Sequence, residues 1–350
     1  VNLAELASKI RASKVKFKVV ALPDFFIDHF LVYPSSLENL IEEMREVAKR
    51  GGGNIFKCKH YFLRGGCAAN FAAAISNLGV DVKLITKTSI IGLKFLEVYA
   101  PRVDLSHVKV VDDQAVTLAL EVEFSGRRVN IMMSNPGPVK SFRFEDLSED
   151  DLEEIASADF TAIFTWNAND YGTELAEKAF SYVKECGCGR TYMDLGDPTA
   201  KREELKELIE RILRRGLLDA LSLNENELVQ LAKSMNVKFS GDLIDLARKI
   251  SLSIPVRIDL HTANFSASFI DGDGVMVPSF KVEVLRSTGA GDAWNAGNIY
   301  GWGCNFNFEE RLLIANAVAA YYISNKKAIH PSLIDLVNFI RKRKLRLTPC

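Results

Sequence analysis

From Ser148 to Ala263 the chain repeats one pattern four times: a helical run, then a short apolar run. "EDDLEEIAS" leads to "FTAIFTW", "GTELAEKAFSYVKEC" to "TYMDL", "REELKELIERILRRG" to "DALSLNENE", and "GDLIDLARKIS" to "VRIDLHTA". Alternation of this kind predicts a mostly parallel central sheet with helices on both faces, an α/β/α sandwich. Ligands of such sheets lie off the C-terminal ends of the strands.

The first half is less regular. "FKVVALPDFFID" (residues 17–28) reads as one buried strand that delivers carboxylates at its end. Ser35 and Glu38 have capping-box spacing for the helix that follows, and Gly51 to Gly53 stop it. In "FLRGGCAANFAAAISNLGVDVKLIT" a Gly-Gly turn opens an Ala-rich helix and a strand follows. "VTLALEVEF" and "RRVNIMM" flank "SGR" as a hairpin, which interrupts the alternation and suits a small β lid. No repeat or long linker divides the chain. The expectation is one domain over residues 15–345, with lid elements near 30–64 and 112–135. Residues 1–14 form an extension, an amphipathic helix presenting Leu3, Leu6 and Ile10 on one face.

The 350 residues suffice for one large core, and the formal net charge of -1 gives no general attraction to nucleic acid or membrane. The basic run "RKRKLR" (341–346) reads as a solvated helix end, since no aromatic platform or further basic stripe accompanies it. Of the six cysteines only Cys186 and Cys188 are close, which is a poor zinc signal. Scattered thiols suit a reducing, cytoplasmic location. No apolar run approaches the length of a membrane-spanning helix.

The densest chemistry lies in "RSTGAGDAWNAG" (286–297). Gly289, Ala290 and Gly291 precede an acid, Asp292, at the mouth of a helix. Free backbone N–H groups and the positive end of the helix dipole make an anion hole there. A carboxylate is a poor phosphate ligand, because like charges repel. Its useful role is to take a proton from an attacking hydroxyl. The residues therefore point to phosphoryl transfer to an alcohol, or, read blandly, to a Gly-rich turn with an acid at a helix start.

"STGAGDAWNAGNIYG" resembles the C-terminal signature of the ribokinase-like (PfkB) family of carbohydrate and nucleoside kinases. Further marks follow the family's order. Gly65, Gly66 and Asn70 in "RGGCAANFAAAISNLG" are similar to its Gly-Gly segment. Asn224 and Glu227 in "LSLNENELVQL" resemble its Asn-x-x-Glu segment, and "ALPDFFID" matches its first strand. The resemblance spans about residues 17 to 340 and implies a ribokinase-like sandwich with a β lid suited to homodimer formation. It implies ATP as co-substrate, Mg²⁺ as cofactor and a small hydroxylated acceptor: sugar, polyol or nucleoside. Asp292 would be the base and Gly289, Ala290 and Gly291 the anion hole. Asp28, Gly65, Gly66 and Asn70 would line the acceptor side. Asn224, Thr262, Thr288 and Asn316 would line the nucleotide. Asn224 and Glu227 would organise Mg²⁺ through water.

The departures are specific. Arg286 stands where the family usually has an acid that helps to hold a monovalent cation. The Gly-x-Asp segment after the second strand is missing. "LHTANFS" replaces the usual nucleotide loop, with His261 and Thr262 as candidates, and the helix at 36–50 sits where lid strands are common. No G-x-G-x-x-G follows a strand and no Walker motif exists, which argues against a dinucleotide oxidoreductase. Two rivals remain: a non-catalytic nucleotide or sugar sensor, against which Asp292 argues, and an ADP-dependent sugar kinase.

Overall fold

A computed structural model describes residues 2–187 and 189–345. Cys188, Arg346 and Cys350 lie outside the described residues. The strands are β1 (Lys18–Leu22), β2 (Phe26–Ser36), β3 (Lys59–Gly65), β4 (Asp81–Leu84), β5 (Thr86–Thr88), β6 (Val108–Val110), β7 (Val116–Phe124), β8 (Arg127–Asn135), β9 (Phe160–Ile163), β10 (Arg190–Asp194), β11 (Ala220–Leu223), β12 (Arg257–His261), β13 (Phe265–Ile270) and β14 (Asp273–Pro278). The helices are α1 (Leu3–Ala12), α2 (Leu37–Lys49), α3 (Cys67–Asn77), α4 (Ile90–Tyr99), α5 (Glu149–Ser157), α6 (Gly172–Cys186), α7 (Arg202–Leu208), α8 (Glu225–Ser234), α9 (Leu243–Ser251), α10 (Ala290–Gly303), α11 (Phe308–Ile323) and α12 (Leu333–Lys342).

Eight strands form the main sheet in the order β14-β13-β12-β11-β10-β9-β1-β4. From β4 to β12 neighbours run parallel, and β13 and β14 add an antiparallel edge. Every residue of β9 and β11 is buried, as a sheet covered on both faces requires. One face packs Phe71 of α3, Ile299 of α10 and Ile314 of α11; the other packs Leu175 of α6, Leu228 of α8 and Leu246 of α9. The expected three-layer sandwich is therefore present. The segment expected as an extension joins its core: Leu6, Ala7 and Ile10 of α1 are fully buried, and the helix packs on α12.

A second sheet, in the order β3-β2-β7-β8, forms the lid. It corrects the reading of residues 17–28 as a single strand. β1 ends at Leu22, and the chain turns at Pro23 and Asp24 into β2, which belongs to the lid. Proline restricts its predecessor and offers no N–H to a ladder, so the buried strand stops there. The lid accordingly begins at Phe26 rather than near residue 30. The cap of α2 also moves by one residue: β2 runs through Ser36, whose hydroxyl accepts from the Asn39 N–H, and Ser35 instead accepts from the Asn39 side chain. Downstream, the helix expected over 202–216 changes to a π-helical turn at Ile209–Leu213.

Candidate active site

The start of α10 is built by one left-handed residue. Gly289 has φ +79°, and a Cβ there would meet the Tyr322 hydroxyl at 2.9 Å. The turn aims the first N–H groups of α10 out of the helix, and no side chain caps them. Asp292 sits in that first turn with 6% of its surface exposed. Its Oδ2 accepts from Asn70 Nδ2 at 3.0 Å. Burial raises its pKa well above the ordinary carboxylate value, and the Asp194 carboxylate adds to the rise.

Asn70 is itself held. Arg64 Nε donates to Asn70 Oδ1 at 3.0 Å, Nη1 to the Tyr99 carbonyl at 2.6 Å, and Nη2 contacts His330 Nε2 at 3.0 Å. A guanidinium cannot accept, so His330 Nε2 accepts and its proton sits on Nδ1. Nothing in the sequence reading singled out Arg64. Its signal was its place directly before the Gly65-Gly66 turn.

That turn is packed to its limit. A Cβ on Gly65 would lie 2.1 Å from Asp28 Oδ1, and one on Gly66, at φ +85°, would lie 2.8 Å from the Phe25 Cα. The N-terminus of α3 behind it is filled by Asp24, whose carboxylate accepts from the N–H groups of Cys67 and Ala68 at 2.7 and 2.9 Å. Asp24, also missed, is the acid that closes β1. Asp28 lies four residues further, on the inner face of the lid. Burial raises its pKa to about 7, the Thr117 hydroxyl opposes the rise, and Asp24 adds to it.

Two cavities flank the loop before α10. One, of about 470 Å³, lies under the lid and is lined by Asp28, Asn70, Tyr61, Glu121, Arg128 and Thr288 among others. The other, of about 440 Å³, is lined by Asn224, His261, Thr262, Phe280, Gly291 and Asn316 among others. Arg286 and Ser287 line both, so this loop is the wall between them. Thr288, expected beside the nucleotide, faces the lid cavity, because the chain crosses the wall before Gly289 turns it into the helix.

Several polar side chains of the second cavity are already committed. Thr262 Oγ1 donates to the Phe265 carbonyl and accepts from the Phe265 N–H, holding the β12–β13 turn. Asn316 ties Ser266 and the Trp294 indole to the Pro278 carbonyl. His261 is half-buried, its ring tilted against Trp294 with centroids 5.0 Å apart; among the described residues its buried Nε2 has no hydrogen-bond partner, and desolvation lowers its pKa.

Asn224 and Glu227 cap α8 reciprocally: Asn224 Oδ1 accepts from the Glu227 N–H at 3.0 Å and Glu227 Oε2 from the Asn224 N–H at 2.9 Å. Glu227 is buried, which raises its pKa well above the usual value, and Asp194 contributes. Asp194, at the end of β10, accepts from Asn295 Nδ2 at 2.7 Å and also raises Asp292. The Asp194 carboxylate thus raises both Glu227 and Asp292, which marks a place short of positive charge that a divalent cation fits. Among the described residues no group of three or more His, Cys, Asp or Glu could hold a metal ion. Such an ion would be held mainly by phosphate oxygens and water. Asp194 was legible only as the last polar residue of "TYMDL".

A carboxylate buried at the start of α10, next to the loop that walls two cavities on an α/β sandwich, has a geometry suited to phosphoryl transfer. The comparisons agree in family. The model of the pfkB family carbohydrate kinases matches residues 59–335, and the chain belongs to that family. A ribokinase from Arabidopsis thaliana, complexed with ribose and ATP, superposes with a TM-score of 0.72 at 18% identity, covering 94% of this chain and 99% of its own. A fructokinase with bound ATP from Xylella fastidiosa gives 0.72 at 17% identity, covering 93% of this chain and 98% of its own. The nucleoside kinase of Methanocaldococcus jannaschii gives 0.67 at 17% identity, covering 94% of this chain and 99% of its own. No curated protein matches at a significant level. Among the described residues no helix is long and apolar enough to cross a membrane.

Proposed function

We propose that the chain transfers the terminal phosphoryl group of ATP to a hydroxyl of a small sugar, sugar-like polyol or nucleoside, in the cytoplasm, with residues 15–345 acting as one kinase domain. The observation that carries this reading is Asp292, buried beside uncapped α10 amides and behind the wall between the two cavities. The acceptor lies under the lid with Asp28 and Asn70, beside the Gly65-Gly66 turn. The nucleotide lies in the other cavity along Asn224, Thr262 and Asn316.

Asp292 takes the proton as the hydroxyl oxygen bonds to the γ-phosphorus and the bond to the β–γ bridging oxygen breaks. The amides at Gly289 to Gly291 stabilise the charge on the equatorial oxygens. Asn70 and Arg64 keep the carboxylate aimed at the acceptor. Mg²⁺, when bound, neutralises charge on the phosphates; Glu227 and Asn224 would hold its water shell, with Asp194 close by. Thr288 faces the acceptor's side of the wall. The ATP bound in the ribokinase and fructokinase of the same fold supports ATP as co-substrate.

The test is a screen of hydroxylated acceptors with ATP and with ADP, following nucleotide release. Turnover with ATP and at least one acceptor is expected. Binding of nucleotide and acceptor without turnover would instead establish the sensor reading.

A further inference from the structure

The lid cavity holds more positive charge than hydroxyl binding needs. Three arginines, Arg64, Arg128 and Arg286, line it against two carboxylates, Asp28 and Glu121. Arg64 is committed to Asn70, Tyr99 and His330. The other two are not. Among the described residues Arg128, half-exposed near the start of β8, makes only long contacts, 3.5 Å to the Tyr33 carbonyl and 4.0 Å to Glu121. Arg286 gives one N–H to the Lys326 carbonyl at 2.8 Å, and its buried Nε has no partner. A guanidinium carries five N–H donors, so most of theirs remain free.

Both line the cavity, Arg128 from β8 of the lid and Arg286 from the loop before α10. The Tyr61 pKa is raised to about 12 by burial and by Glu121, and it feels Arg286 and Arg128 in the opposite sense. The lid register separates Arg128 from the hydroxyl-facing acid. On the inner face Asp28 pairs with Thr117, Phe30 with Ala119, Glu121 with Asn130, and Arg128 with Glu123. The stacked Phe30 and Tyr61 rings, 4.7 Å apart, lie between. Along the lid the cavity thus runs from Asp28, past an aromatic pair, to Arg128, and Arg286 lines it from the wall shared with the other cavity.

We propose that the acceptor is a polyhydroxylated, sugar-like molecule that already carries an anionic group, a phosphate monoester or a carboxylate, bound by Arg128 and Arg286. The proposal rests on the kinase reading above. A neutral sugar would cover the guanidiniums without giving them acceptors, and desolvated charge left unpaired is costly. Planar, forked donors suit the oxygens of either anion. The transfer still consumes one acceptor O–H and one γ-phosphoryl, so the product carries two anionic groups.

The experiment compares kcat/KM, with ATP and Mg²⁺, for neutral pentoses, hexoses and nucleosides, for sugar monophosphates, and for sugar acids. The anionic members should exceed their neutral parents by about 100-fold, the scale of one well-placed charge pair. The phosphate and acid arms decide which anion it is. Arg128→Gln should raise KM for the preferred anion roughly 10–100-fold, with kcat changed far less, and weaken its salt dependence. Arg128→Lys should recover part of the loss. Preference for neutral acceptors, or an unchanged KM in Arg128→Gln, would overturn the anionic assignment and leave the kinase reading standing. Binding without turnover across all arms would overturn the kinase reading itself, and KM-like preference would then be read from binding constants.

Discussion

The two cavities share a wall but are built by opposite means. The cavity proposed for the nucleotide is mostly packing: Phe280, Val282, Ala319 and Ile323 line it, and its polar residues Thr262 and Asn316 are tied into the fold. The acceptor side is mostly charge, with Asp28, Glu121 and three arginines under a lid that is a separate sheet. A cavity made by packing against the central sheet changes only when the core changes. A cavity faced by charged lid side chains can change its ligand without disturbing the core. On the proposed function, the difference puts the common chemistry on one side and the selectivity on the other.

The sharpest break would separate the wall from both cavities. Asp292→Asn keeps the volume and removes the base. Turnover should fall about 10²–10⁴-fold or more, the range for a positioned base, while nucleotide and acceptor binding persist. Isothermal titration beside steady-state rates would check it; near-normal turnover would remove Asp292 from its role.

On the acceptor side, pH is the lever. Asp28, ordinarily near 3.8, is raised to about 7 chiefly by burial. Only the ionised form accepts hydrogen bonds from hydroxyls with both oxygens. The kcat/KM for the acceptor should therefore fall up to about tenfold per pH unit below 7, and Asp28→Asn should lose that dependence. Stability runs the other way. Between 3.8 and about 7 the folded chain holds a proton that the unfolded chain has lost. The contribution is full below that window and lost as pH rises through it. Thermal unfolding of the wild type should thus decline from pH 5 to 8 more than that of Asp28→Asn; equal slopes would show that Asp28 is not desolvated.

On the nucleotide side the lever is metal. Glu227→Gln should raise the Mg²⁺ needed for half-maximal rate several-fold, roughly the effect of an outer-sphere ligand, with acceptor KM little changed. An unchanged Mg²⁺ titration would leave Glu227 as the cap of α8 alone.

The same division marks what the sequence made legible. The helices Glu149–Ser157 and Gly172–Cys186 match their expected spans, because amphipathic period, cap and strand alternation all agree there. The signature loop was legible because glycines before an acid have few structural uses. The lid was legible as a hairpin but not as a sheet. Its β2 leaves the main sheet across a single Pro-Asp step, and its β2–β7 pairing joins residues far apart in the chain, which periodicity does not report. Arg64, Asp24 and Asp194 were missed for a related reason: each acts through a distant partner, Asn70, the α3 N-terminus or Asn295, and no local spacing announces it.

Arg286 belongs to both cavities, and its predicted effect is the smallest because it is an expected absence. In the resembling family an acid at this position helps to hold a monovalent cation behind the anion hole. Here the guanidinium donates to the Lys326 carbonyl at 2.8 Å, in the loop that follows α11, and the next hydrogen bond along, Leu285 N–H to the Ile323 carbonyl, is 2.9 Å. The side chain therefore ties the signature loop to the 324–329 loop rather than pairing with a surface acid. A guanidinium is permanently charged and cannot dissociate. On the proposed function it would supply a fixed positive charge in the wall before α10. Exchanging K⁺ for Na⁺ or a bulky organic cation at constant ionic strength should change turnover less than about twofold, within the range of exposed-charge effects. Arg286→Asp should lower the rate and create a dependence on K⁺. Strong K⁺ activation of the unmodified chain, or full activity in Arg286→Ala, would return the arginine to an ordinary loop contact and leave the wall between the cavities without its fixed charge.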